Sequence, residues 1–165
     1  MKEDSKIKIT IIEDNDLYSM FLDHKLKEEV NCTITKYESS EEFLKNMEFE
    51  KGTDIFILDY KLPGQNGQTL LEILKKKLPE AEIIIISSQS DLQVALDLIK
   101  GGAFDYIIKN NEAVNRLISA INRAYEVRFL RSENFTLKVK INKYKIFTGI
   151  IFIIFAIFLT TVLFL

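Results

Sequence analysis

The sequence predicts a doubly wound α/β fold, and three observations carry the prediction. Short apolar stretches alternate five times with stretches of helical period. Two of the short stretches, Ile55 to Leu58 and Ile83 to Ile86, are apolar without interruption, the mark of a strand buried on both faces of a parallel sheet. Asp59, Ser87 and Lys109 stand where apolar stretches end, which in an open α/β sheet is the edge where ligands bind.

The elements follow in order. Ile7, Ile9, Ile11 and Ile12 make a first strand that runs out in Glu13, Asp14, Asn15 and Asp16. Leu17, Phe21, Leu22 and Leu26 recur at helical spacing, so a helix extends to about Glu29. Thr33 to Tyr37 is a short strand, and Ser39 with Glu42 fits a capping box for the helix carrying Phe43, Leu44 and Met47. The strand Asp54 to Asp59 leads into a Lys61-Leu62-Pro63-Gly64 turn, with Gly67 as a second point of backbone freedom. Leu70, Leu71 and Leu74 share one side of the next helix, closed by Pro79. Ile83 to Ile86 ends in Ser87, Ser88 and Gln89. Leu92, Ala95, Leu96 and Ile99 mark a helix that stops at Gly101 and Gly102. Asp105 to Ile108 is the fifth strand, ending in Lys109, and Val114, Leu117, Ile118, Ile121 and Tyr125 mark the fifth helix.

Charge is unevenly placed along the 165 residues: residues 1–127 hold 16 Lys/Arg against 23 Asp/Glu, a net of −7, and residues 128–165 hold 6 against 1, a net of +5. An acidic globular part argues against nucleic acid as the main partner, because a DNA reader needs a basic face. Cys32 is the only cysteine, which excludes an internal disulfide and suits a small hydrophobe. His24, also alone of its kind, reads as a surface residue, and Met1 to Lys8 has no apolar core of a secretory signal.

With strand order 2-1-3-4-5, the flavodoxin-like arrangement, the ends of the first and third strands flank the switch point and Glu13, Asp14 and Asp59 converge there. Three converging carboxylates repel one another, and Mg²⁺, a hard cation bound by oxygen, resolves the conflict. Ser87 and Lys109 arrive at the same edge. A hydroxyl, an ammonium and Mg²⁺ around one carboxylate suit a transferred phosphoryl group. Taken singly, Asp59 can also be a turn residue or helix cap, Ser87 a helix cap and Tyr106 a half-buried strand aromatic.

In that order and at those strand ends, residues from about Ile7 to Arg128 resemble the receiver domain of bacterial two-component response regulators. The resemblance implies that Asp59 accepts a phosphoryl group from a histidine kinase or phosphotransfer protein. It further implies Mg²⁺ on Asp14, Asp59 and the backbone carbonyl of Lys61, with Glu13 acting through water. Ser87 and Lys109 would grip the phosphate, and Tyr106 would swing inward with Ser87 as the conformational readout. Such a domain is an acceptor and not an enzyme, with at most slow self-dephosphorylation. Two positions depart from the family pattern: Asn110 follows Lys109 where Pro is usual, and Glu13 stands where Asp is common.

Beyond Arg128 only 37 residues follow, too few for a second core. Phe135, Leu137, Val139 and Ile141 alternate with polar residues, a strand period, yet a continuing fifth helix is equally compatible. From Ile146 to Leu165 there is no charge over 20 residues, and Lys138, Lys140, Lys143 and Lys145 precede that run. At about 1.5 Å per residue the run spans roughly 30 Å, a bilayer's hydrocarbon core. The expected organisation is therefore a receiver domain over residues 1–128, a basic juxtamembrane linker over 129–145 and a transmembrane helix over 146–165. It places the domain on the cytoplasmic side of a membrane, signalling to a downstream protein without a DNA-binding output domain. A receiver-like interaction module that is never phosphorylated is the first alternative. A flavodoxin-type redox carrier is disfavoured, because Glu13 to Asp16 would repel a flavin phosphate.

Overall fold

In the computed structural model, which describes residues 6–64 and 66–163 and side chains as far as 151, five parallel strands pair in the order β2-β1-β3-β4-β5. The strands are β1 (Ile7–Ile12), β2 (Cys32–Tyr37), β3 (Ile55–Asp59), β4 (Glu82–Ser87) and β5 (Asp105–Ile108). Between them run α1 (Asp16–Glu29), α2 (Ser40–Asn46) with a 3-10 turn (Met47–Glu50), α3 (Gly67–Lys77) and α4 (Leu92–Lys100), and α5 (Ala113–Leu163) follows β5.

The uninterrupted apolar strands are central, as their composition requires. β3 pairs with β1 on one side and β4 on the other, with Ile57 opposite Ile11 and Ile84. Because successive side chains of a strand point to opposite faces, the sheet feeds two cores. Ile55 and Ile57 pack with Leu22 and Leu26 of α1 and Leu117 and Ile121 of α5. Phe56 and Leu58 pack with Phe43, Leu70 and Leu98 from α2, α3 and α4. Burial of each such side chain stabilises the fold by about 2 kcal/mol before chain entropy is counted.

Several local expectations shift. The hydrophobic spacing of α1 is split: Leu22 and Leu26 are buried, whereas Leu17 and Phe21 face solvent. The same holds for α4, where Leu92, Leu96 and Ile99 are exposed and Leu98 is the buried residue. Ser39 accepts from the Glu42 backbone N–H at 3.2 Å, but the Glu42 carboxylate reaches the Glu38 N–H at 3.0 Å, one residue earlier than a reciprocal capping box has it. Gly67 is needed for space and not for backbone freedom. A Cβ there would lie 2.8 Å from the Tyr60 Cα, while the left-handed position in this loop is Gly64, at φ 81°. Cys32 is buried and His24 sits on the surface against Glu28.

The chain divides into two units, residues up to Arg128 and residues from Phe129 onward. The second is helical as far as Leu163, so the alternating residues from Phe135 to Ile141 lie on a helix and form no strand. Among the described residues no helix is long and apolar enough to cross a membrane. Most of the expected span, the side chains of residues 152–165, lies outside the described residues.

Candidate functional site

At the carboxyl ends of β1, β3 and β5, four side chains meet. Glu13 follows β1, Asp59 closes β3, and Lys109 follows β5; parallel pairing in this strand order brings their ends to one edge of the sheet. The Lys109 ammonium donates to both carboxylate oxygens of Glu13, at 3.0 and 2.8 Å, and to Asp59 Oδ2 at 2.8 Å. Glu13 and Asp59 are both buried, and Asp14 is exposed beside them. One carboxylate oxygen each from Glu13, Asp14 and Asp59 lies within 4.8 Å of the others. Three hard oxygen donors at that spacing are the donor set of a divalent cation such as Mg²⁺.

The electrostatics follow from burial. Loss of water pushes the Glu13 carboxyl above its ordinary range, and the charge of Asp59 adds to the shift while the Lys109 hydrogen bond partly opposes it. Burial by itself would lower Lys109, but its hydrogen bonds to Asp59 and Glu13 outweigh that and hold the ammonium above its usual value. The site is thus a buried carboxylate pair kept in place by one fixed cation.

Local sequence explains why these groups hold still. Asn15 caps α1, accepting the Tyr18 N–H at 3.0 Å, and its own N–H donates to Glu13 Oε1 at 3.4 Å. That cap sets Tyr18 under the ammonium, with Lys109 Nζ 4.7 Å from the ring centroid in a cation–π contact. Asp59 Oδ1 accepts the backbone N–H of Lys61 at 3.2 Å, so Lys61 enters the site through its amide. The Gly67 N–H donates to the Tyr60 carbonyl at 2.8 Å and folds the loop after β3 tightly against the strand end. After Lys109, the Asn110 side chain accepts the Glu112 N–H at 3.0 Å, a turn that opens α5 in place of the proline usual there.

Ser87 and Tyr106 are drawn to one residue that sequence reasoning did not single out. Ser87 is fully buried, and its hydroxyl oxygen accepts the Gln89 N–H at 3.0 Å. Tyr106 is buried too, and its hydroxyl donates to the Gln89 carbonyl at 2.7 Å. Gln89 contributes only its backbone to these bonds, so its side-chain identity gave no signal. Tyr18 was missed for a related reason: its part is a ring placed over Lys109, a contact made across 91 positions of sequence. Of the residues expected at the site from sequence, Glu13, Asp14, Asp59 and Lys109 come together here and Lys61 meets Asp59 through its amide, whereas Ser87, at the end of β4, and Tyr106, within β5, are joined to the loop after β4 and not to the carboxylates.

The profile of the response regulator receiver domain matches residues 9–122. A putative response regulator of the NtrX-like type from Rickettsia felis is 35% identical over 142 residues, covering 83% of this chain and 29% of that protein. The DNA-binding transcriptional regulator NtrC of Escherichia coli is 32% identical over 92 residues, 56% of this chain and 19% of its own length. The chain therefore spans less than a third of the curated relatives it matches. Among solved structures, a response regulator receiver domain protein from Clostridium thermocellum superposes with a TM-score of 0.70 at 29% identity, covering 75% of this chain and 98% of that one.

Proposed function

Because the chain belongs to the response regulator receiver domain family, we propose that Asp59 is the phosphoryl acceptor of a two-component relay, charged by a histidine kinase or a histidine phosphotransfer protein. The observation that carries this reading is the Lys109 ammonium held at 2.8 Å from both Glu13 and Asp59 beside a third carboxylate. A carboxylate so placed is a nucleophile with its counter-charge already in position.

The reaction runs as a displacement at phosphorus. An Asp59 oxygen bonds to phosphorus as the phosphorus–nitrogen bond of a phosphohistidine breaks and the imidazole leaves with the electron pair. Glu13, Asp14 and Asp59 are the side chains that would hold Mg²⁺, which when bound supplies neutralisation of the phosphoryl charge. The expected Lys61 carbonyl would complete that set. Lys109 shifts from the carboxylates to the transferred oxygens, and the Ser87 hydroxyl turns from the Gln89 N–H to the same group. Tyr106, bound to the other side of Gln89, then reports the change to the surface of α4 and β5 and to a downstream protein partner.

Residues 146–165 we read as a membrane anchor with the domain on the cytoplasmic side. What supports it is the uncharged run after Lys138, Lys140, Lys143 and Lys145. The acidic balance of residues 1–127 speaks against nucleic acid as a direct partner of this part.

The test of the acceptor is intact mass after incubation with a small acyl phosphate and Mg²⁺. One phosphoryl group should add to the wild type and none to Asp59→Asn. Labelling that survives Asp59→Asn, or that proceeds fully in chelator, overturns the mechanism. A wild type that takes up nothing from any donor is instead a receiver-like interaction module.

A further inference from the structure

The Lys109 ammonium has three N–H groups, and all three are committed in the resting site: two to Glu13, at 3.0 and 2.8 Å, and one to Asp59 at 2.8 Å. Its fourth neighbour is the Tyr18 ring, whose centroid lies 4.7 Å from Nζ. That contact takes up no N–H. It acts through the negative face of the ring, and it is broad where the hydrogen bonds are directed.

The ring is held firmly in place. The cap at Asn15 receives the Tyr18 N–H, the side chain packs against the core that contains Leu22 and Leu117, and the Phe21 ring lies 6.0 Å away, tilted at 35°. Burial pushes the phenol above its ordinary value of 10, so at neutral pH the ring is uncharged and the contact is a cation on a π face and not an ion pair. When a phosphoryl group reaches Asp59, the ammonium has to exchange carboxylate oxygens for phosphoryl oxygens, and directed bonds break before new ones form. Attraction to an aromatic face holds out to about 6 Å from the centroid, which from 4.7 Å leaves the ammonium roughly 1 Å of travel within reach of the same ring. Midway, with fewer hydrogen bonds, its charge is less offset than at rest, so the ring counts for most where the barrier lies.

We propose that Tyr18 is a positioning residue for phosphoryl transfer: its ring face carries the Lys109 ammonium from the carboxylates to the transferred oxygens and so speeds uptake at Asp59. This part presupposes Asp59 as the acceptor and adds to the site a residue outside its charged set. Tyr18 acts through the electrostatics of its ring. The rate should therefore follow the negative potential of the ring face and be indifferent to the hydroxyl.

The experiment measures the rate of phosphoryl uptake by the full chain from a small acyl phosphate with Mg²⁺, read by intact mass. Tyr18→Phe should react at close to the wild-type rate and Tyr18→Leu about fivefold more slowly. Phenylalanines with increasing numbers of ring fluorines, placed at position 18, nearly keep the shape of the side chain while draining the negative potential of its face. Across them the rate should fall step by step toward that of Tyr18→Leu, which filling of space alone would not produce. A rate that stays flat across the fluorinated series overturns the proposal, and so does a Tyr18→Phe protein as slow as Tyr18→Leu, since the hydroxyl would then carry the effect. A wild type that takes up no phosphoryl group overturns the acceptor reading and this proposal with it, whereas a labelled wild type with a flat series overturns this proposal alone.

Discussion

Lys109 is the only cation among four charged side chains at the site, and its removal strands two buried carboxylates. Lys109→Ala should cost about 3 kcal/mol of stability, the usual loss when one partner of a buried ion pair is deleted. Mg²⁺ should return more stability to this variant than to the wild type, because it then supplies the missing counter-charge; thermal unfolding with and without the ion reads both effects. A second buried carboxylate lies away from the site. Glu50 accepts from Thr10 and Thr53 at 2.6 Å and from the Tyr37 hydroxyl at 2.7 Å, joining β1, β2 and the segment before β3. Burial pushes its carboxyl up, but the three hydroxyls hold it below the ordinary value of 4.5. A lowered folded value means that this stabilisation is complete above pH 4.5 and is lost as pH falls through the lower value. Tyr37 runs the other way: burial and Glu50 raise it from 10 to about 12, so its contribution is complete below pH 10 and lost as pH rises toward 12. Glu50→Ala should cost about 2 kcal/mol at neutral pH, leaving the Tyr37 hydroxyl and one of the two threonine hydroxyls, which lie 3.0 Å apart, without an acceptor. It should also flatten both ends of the stability–pH curve, measured by urea unfolding from acid to alkali.

At the scale of elements, the five strands were legible because a parallel sheet writes itself as short apolar runs, and the helices because their buried sides recur at helical spacing. What sequence could not supply was which apolar residues stay outside. Leu17 and Leu92 fit their helices' spacing as well as Leu26 does, and only the position of each helix on the sheet decides that the first two face water. The alternation from Phe135 to Ile141 left strand and helix equally open for a similar reason, since a period of two becomes a strand only where a neighbouring strand accepts its hydrogen bonds, and here the fifth helix runs on. The carboxylates, Ser87 and Lys109 could be found because side chains do that work; the backbone of Gln89 left no trace. Gly67 was found for the wrong property, and this can be tested. Gly67→Ala would set a Cβ 2.8 Å from the Tyr60 Cα and 3.1 Å from the Asp59 carbonyl, both backbone atoms. Destabilisation of roughly 1–3 kcal/mol is expected, whereas Gly52→Ala, whose nearest neighbour is the flexible end of Lys8 at 3.4 Å, should be close to neutral by the same unfolding measurement.

For the molecule as a whole, both cores of the sheet are built from residues no later than Tyr125. A chain stopped after Arg128 should therefore fold and still take up a phosphoryl group. Full-length protein should stay with membranes through a carbonate wash while the shortened one appears in the soluble fraction. A shortened chain without cooperative unfolding would show that the tail belongs to the core, and full-length protein released by the wash would show that it is no anchor. The bridge from Lys109 to Glu13 and Asp59 also has a kinetic consequence. Counted formally, Glu13, Asp14 and Asp59 against Lys109 leave the pocket at −2, inside a stretch of net −7 over residues 1–127. An anionic donor approaching without a divalent ion climbs a repulsive potential, so raising ionic strength with an inert salt should speed its arrival. With the ion bound the local sum becomes zero, and that acceleration should shrink to the weaker response of the surrounding acidic surface.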